Sequence, residues 1–128
     1  MSIKYKLVIW CIIIFILSSI PNARIHEKNI LDFILRKSAH ITEYFVLFVL
    51  AYFTFRDSRF RGNKNISLAA TAFAIIYAIS DEFHQKFVPG RSMAFIDLLF
   101  DTFGVMLGNI YLWKFWQRTP AKIKKLLS

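Results

Sequence analysis

The sequence predicts an all-α fold: a bundle of four transmembrane helices with both termini in the cytoplasm. Three observations lead there. Hydrophobic residues make up 56% of the 128 and aromatics 17%, more apolar material than a water-soluble core of this size needs. The apolar residues fall into four segments, separated and followed by short runs that hold most of the lysines and arginines. Three of the four segments reach membrane-spanning length only if adjoining turns bearing acids or histidines are counted with them. At this length the chain reads as one domain, residues 1–128.

The net charge of +9 does not point to nucleic acid. A nucleic-acid surface needs a basic face on a soluble fold. Here the basic residues flank apolar segments, where they anchor a chain to headgroups.

The first helix is expected at about residues 5–21. Residues 7–23 carry no charge, Lys4 and Lys6 precede them, and Pro21 closes the helix. That is near the lower limit for crossing a bilayer. A cleaved leader would share the basic start and apolar middle, but Pro21 and Asn22 make a poor small-x-small cleavage site, which favours a retained helix. Cys11, the only cysteine, lies in this run. It rules out an intramolecular disulfide and a cysteine metal site and reads as a small hydrophobe.

A second helix is expected at about residues 29–55, with Asn29 as its cap. Its charge-free part, residues 44–55, is too short to span, so Ser38, His40 and Glu43 must enter the membrane with it. The third, at about residues 66–87, carries Ala70, Ala74 and Ala78 every four residues, a small-residue stripe that lets helices approach closely. It too needs Asp81, Glu82 and His84 to reach full length. Val88-Pro89-Gly90-Arg91 has the chemistry of a type II turn. Ser92 would cap the fourth helix, at about residues 92–116, in which Asp97 and Asp101 precede the charge-free part. At about 100° per residue, Asp97, Asp101, Gly104 and Gly108 share one face, and the Gly104/Gly108 step marks it as a packing face.

Alternate connections sum to eleven Lys/Arg on the side of the termini against six on the other. The positive-inside rule then places both termini in the cytoplasm. Trp113 and Trp116 fit an interfacial belt, and the lysine-rich tail fits anionic headgroups. On this topology three stretches converge on the outer third of the membrane: Lys37, His40, Glu43 and Tyr44; then Asp81, Glu82, His84, Gln85 and Arg91; then Asp97 and Asp101. Each residue alone reads as readily as a snorkelling or helix-pairing charge, and His40 with Glu43 at i,i+3 as an ion pair. The set reads as a polar pocket, because each charge at membrane depth costs about 2.5–3.5 kcal/mol. His40 and His84 with the carboxylates could furnish metal donors, but neither an HExxH nor a CxxC spacing is present. No cofactor or metal is therefore expected, a divalent ion being the alternative.

These residues carry a resemblance. Lys37, His40, Glu43 and Tyr44 in KSAHITEY are similar to the KxxHxxEY signature of the VanZ-like family. Ser80, Asp81, Glu82, Gln85, Phe87, Pro89, Gly90 and Arg91, followed by Asp97 and the Gly104/Gly108 step, resemble its second signature. The likeness covers about residues 30–108. It implies a small multi-pass protein of the bacterial cytoplasmic membrane, in a family named for a member associated with teicoplanin resistance, and supplies no established reaction. The family commonly carries asparagine at the position of Asp101, so the resemblance assigns Asp101 no catalytic role.

The expectation is a membrane protein whose outward-facing pocket binds or modulates an envelope component, such as a lipid headgroup or cell-wall precursor, or meets an envelope enzyme. Membrane lipids are its surroundings. Arg91 and Lys37 would meet an anionic group, and His40, Glu43, Asp81 and Glu82 would handle protons or hydrogen bonds. The alternatives are an enzyme using acid–base or metal-assisted chemistry on a lipid-linked substrate, and a scaffold whose charges only fix helix packing.

Overall fold

The computed structural model describes residues 1–21, 30–58, 62–91 and 93–128, and these are helical and turn-forming with no strand. Four helices make the bundle: α1 (Ile3–Ser18), α2 (Ile30–Arg56), α3 (Asn63–Gln85) and α4 (Phe95–Ile110). After α4 the chain continues through a π-helical turn (Tyr111–Phe115) and a 3-10 turn (Trp116–Arg118) into a short α5 (Ala121–Leu126).

Three helical stretches are long and apolar enough to cross a membrane: Ile30–Arg56, Asn63–Gln85 and Phe95–Arg118. α1 is apolar but has only 16 residues. The exposed surface is largely hydrophobic on every helix, for example Ile12 and Ile16 on α1, Ile76 on α3 and Met106 on α4. A soluble monomer does not expose apolar area on this scale. Lipid is the solvent that suits it. Hydroxyls on these helices donate to their own backbone one turn earlier, as Thr42 to Ser38 O, Thr54 to Leu50 O and Thr102 to Leu98 O (each 2.8 Å). A hydroxyl satisfied this way can face hydrocarbon.

α2 is the central helix and packs against α4, α3 and α1, most extensively against α4. Its buried face holds Tyr44, Leu47, Phe48 and Ala51. Glycine decides how closely α4 approaches. A Cβ at Gly104 would run into the main-chain carbonyl of Ile41, and one at Gly108 would lie 2.5 Å from Cδ1 of Phe48. Ala70, Ala74 and Ala78 are all buried on α3, so the small-residue stripe is a packing surface.

Several element ends differ from the expected ones. α3 stops at Gln85 because the next residues tighten: Lys86, Phe87 and Val88 each donate to the carbonyl three residues back. The turn that follows closes from Arg91 N to Val88 O (3.1 Å), with Gly90 at φ +74°, as a type II turn demands. α4 starts at Phe95, since Ala94 is still extended (φ −125°, ψ 112°). α3 starts earlier than expected, at Asn63, directly after Gly62 at φ +85°. The expected caps Asn29 and Ser92, and Arg24, Lys28, Arg59 and Arg61 of the basic runs, lie outside the described residues.

The helices run up and down. Lys6 near the start of α1 donates to the carbonyl of Leu126 at the end of α5, which brings the two termini to one end of the bundle. At the other end Arg91 donates to the carbonyls of Ile20 (3.1 Å) and Leu17 (3.3 Å), just beyond and at the end of α1.

Candidate functional site

Unbroken helices carry ionisable groups into the bundle: α2 runs straight through Lys37, His40 and Glu43, α3 through Asp81 and Glu82, and α4 through Asp97 and Asp101. Helical spacing turns these groups toward each other. Asp97 and Asp101 stand on the same face as Gly104 and Gly108, and all four are buried. Because that face presses on α2, the acids meet α2 cations. Lys37 is hydrogen-bonded to Asp97 and its ammonium lies over the rings of Phe33 (5.3 Å) and Phe100 (5.6 Å). One turn on, His40 Nδ1 lies 2.7 Å from Asp101 Oδ1. So His40 pairs across to α4, where the i,i+3 spacing had pointed to Glu43.

α3 supplies the third wall. Gln85 Nε2 donates to Asp81 Oδ2 (3.1 Å) along the helix, and both side chains are buried. Glu82 is only 1% exposed; its Oε2 accepts the main-chain N–H of Ala94 at 3.0 Å, so it tethers the start of α4 to the end of α3. A carboxylate oxygen of Glu82, a ring nitrogen of His40 and an oxygen of Asp101 all lie within 4.8 Å of one another. Tyr44, fully buried one turn beyond His40, is within electrostatic reach of Asp81 and Asp101. Glu43 is half-buried beside the cluster, within electrostatic reach of His40, Asp81 and Asp101, and its main-chain carbonyl accepts Trp10 Nε1 from α1 (2.9 Å).

Two expected pocket residues face elsewhere. His84 turns to α1, with Nε2 3.0 Å from Ser19 Oγ and its ring 4.6 Å from that of Phe15. Arg91 reaches the last carbonyls of α1. The two cations expected to meet an anionic ligand are therefore already engaged: Lys37 by Asp97 and Arg91 by carbonyls. The unmet capacity is of the other kind. Glu82 Oε1, Asp101 Oδ2 and the Tyr44 hydroxyl are buried with no hydrogen-bond partner among the described residues. A buried acceptor left unmatched costs about 1–3 kcal/mol, more when it is charged. The cluster thus offers two carboxylate oxygens to a donor or a cation.

A second polar group went unnoticed in the sequence. Asn109 on α4 accepts from Ser67 and donates to Thr71 Oγ1 (3.1 Å), which ties α3 to α4 at the end where the termini lie. A cleft of about 1020 Å³ opens there, lined by Arg56, Lys64, Thr71, Asn109 and Trp113 among others. It holds none of the clustered carboxylates. An asparagine directly after Gly108 in an apolar run was the available signal.

The family model described as VanZ/LLP1 matches residues 4–117. No curated protein and no solved structure matches the chain.

Proposed function

The chain belongs to the VanZ/LLP1 family, and from that premise we propose a four-span protein of the bacterial cytoplasmic membrane that binds or modulates a cell-envelope component on its extracytoplasmic side. Both termini at one end of the bundle agree with an even number of crossings. The eleven-to-six excess of Lys/Arg supports a cytoplasmic location for that end. α1 makes the fourth crossing, completed by the residues up to Pro21. The charged cluster then sits beneath the outer headgroups, where a lipid headgroup or cell-wall precursor can reach it.

One observation carries this reading: three helices bury their ionisable side chains together, with Glu82 Oε1, Asp101 Oδ2 and the Tyr44 hydroxyl still unmatched among the described residues. Packing alone rewards fully matched groups. The ligand suited to these acceptors presents hydroxyl or amine donors, as a sugar or an amino headgroup does. Any anionic portion would have to draw Lys37 or Arg91 away from its present partner.

The test is native mass spectrometry of the purified full chain, offered lipid-linked cell-wall precursor, phosphatidylethanolamine or phosphatidylglycerol. The wild type is expected to retain one of the first two in preference to phosphatidylglycerol. Asp81→Asn and Glu82→Gln should lose that retention while reaching the membrane at wild-type abundance. Equal retention of all three lipids, or variants indistinguishable from wild type, would refute it. The scaffold reading draws on the Lys37–Asp97 and His40–Asp101 pairs and expects these variants to fall in abundance instead.

A further inference from the structure

We propose that His40, Glu82 and Asp101 form a binding site for one divalent transition-metal ion of the zinc type. This goes beyond the envelope-binding reading and stands whether or not a headgroup binds. The spacing gave no metal motif because the donors come from three helices; only the fold brings them together.

Geometry is the first support. One donor atom from each residue lies within 4.8 Å of the other two, so that small side-chain rotations would bring all three to the roughly 2 Å bond lengths of a single zinc ion. The second support is independent of that proximity. Glu82 Oε1 and Asp101 Oδ2 belong to side chains 1% and 0% exposed, and neither has a hydrogen-bond partner among the described residues. Buried carboxylate oxygens on two residues adjoining an imidazole are what a cation would satisfy. Charge points the same way: Lys37 pairs with Asp97, while three further acids, Asp81, Glu82 and Asp101, lie within electrostatic reach of His40.

One imidazole nitrogen and two carboxylate oxygens suit zinc or its first-row neighbours better than calcium, which takes six to eight oxygens. Three protein ligands leave a coordination position open for water or a ligand atom. His40 would bind through a neutral ring nitrogen, and Glu82 and Asp101 as carboxylates. The surroundings already hold two of the ligands in place: the Ala94 N–H fixes the other oxygen of Glu82, and the close approach allowed by Gly104 holds Asp101 against α2. His84, paired with Ser19 outside the cluster, is not a ligand.

The experiment loads tag-free full chain in detergent with zinc, removes loose ion by gel filtration and counts metal by elemental analysis. Affinity is then measured against a chromophoric chelator. The wild type is expected to keep about one zinc per chain. Glu82→Gln and Asp101→Asn, which preserve shape, should each weaken binding by about tenfold or more, with His84→Ala unchanged. The visible spectrum of the cobalt-loaded wild type gives a readout that does not depend on the variants: intense bands of four- or five-coordinate cobalt are expected. Wild-type protein that keeps well under one zinc per chain, unchanged affinity in both ligand variants, or a spectrum of hydrated cobalt would each overturn the proposal.

Discussion

The two ends of the bundle hold the same helices together by different means. At the end where the termini lie, α3 and α4 are joined by neutral groups, Ser67, Thr71 and Asn109, whose hydrogen bonds are met within the network. Aromatic rings close over it, with Trp116 4.8 Å from Phe53 and Trp113 exposed. At the opposite end three helices are joined by Lys37–Asp97, His40–Asp101 and the Glu82–Ala94 tether, and acceptors are left over. The neutral end achieves helix packing at little electrostatic cost. The charged end therefore carries more than packing requires, and that excess is the ground on which a function is proposed for it.

The comparison can be broken first at the Lys37–Asp97 pair, where the largest effect is expected. Lys37→Ala removes the lysine from the buried Asp97 carboxylate, which should cost up to about 3–5 kcal/mol. Lys37→Leu with Asp97→Leu together should recover most of the loss. Reversible unfolding in mixed micelles measures both, and a double variant as unstable as the single one would show that the pair does more than balance charge.

Next come the glycines under the charged end. Gly104→Ala drives a Cβ into the Ile41 carbonyl, a backbone atom that cannot move alone, and should cost about 3 kcal/mol as overpacking. Gly108→Ala meets the ring of Phe48, which can rotate or shift, and should cost about 1 kcal/mol. Equal losses in the same unfolding assay would mean that α4 as a whole moves to admit the methyl group.

The smallest effect belongs to the neutral end. Asn109→Leu removes two interhelical hydrogen bonds of a kind worth about 0.6 kcal/mol each within membranes, part of that loss being offset because Ser67 and Thr71 can turn back to their own helix carbonyls. It should leave zinc binding and lipid retention at the charged end as in the wild type. Loss of either would couple the two ends.

Much of the charged end was legible in the sequence, because a charge at membrane depth is conspicuous against apolar neighbours. Helical spacing placed Asp97, Asp101, Gly104 and Gly108 on one face, and burial of all four agrees with a packing face. Pairing between helices was not legible. Nothing in the spacing of α2 says that His40 meets Asp101, since that depends on how far α4 slides along α2 before Gly104 reaches the Ile41 carbonyl. The fate of Arg91 was hidden for a related reason: its partners are backbone carbonyls of α1, which no side-chain pattern announces. Asn109 escaped notice because a neutral amide looks unremarkable in a run that is otherwise free of charge.

The central claim, that the charged cluster lies toward the extracytoplasmic face, is tested most directly by thiol labelling in intact cells. In a Cys11→Ala background, Lys86→Cys probes the turn beside the cluster and Ser58→Cys probes the connection at the neutral end; both positions are exposed. A membrane-impermeant maleimide should label Lys86→Cys in intact cells and Ser58→Cys only after lysis. Labelling of Ser58→Cys in intact cells, with Lys86→Cys protected, would put the cluster on the cytoplasmic side and contradict the account.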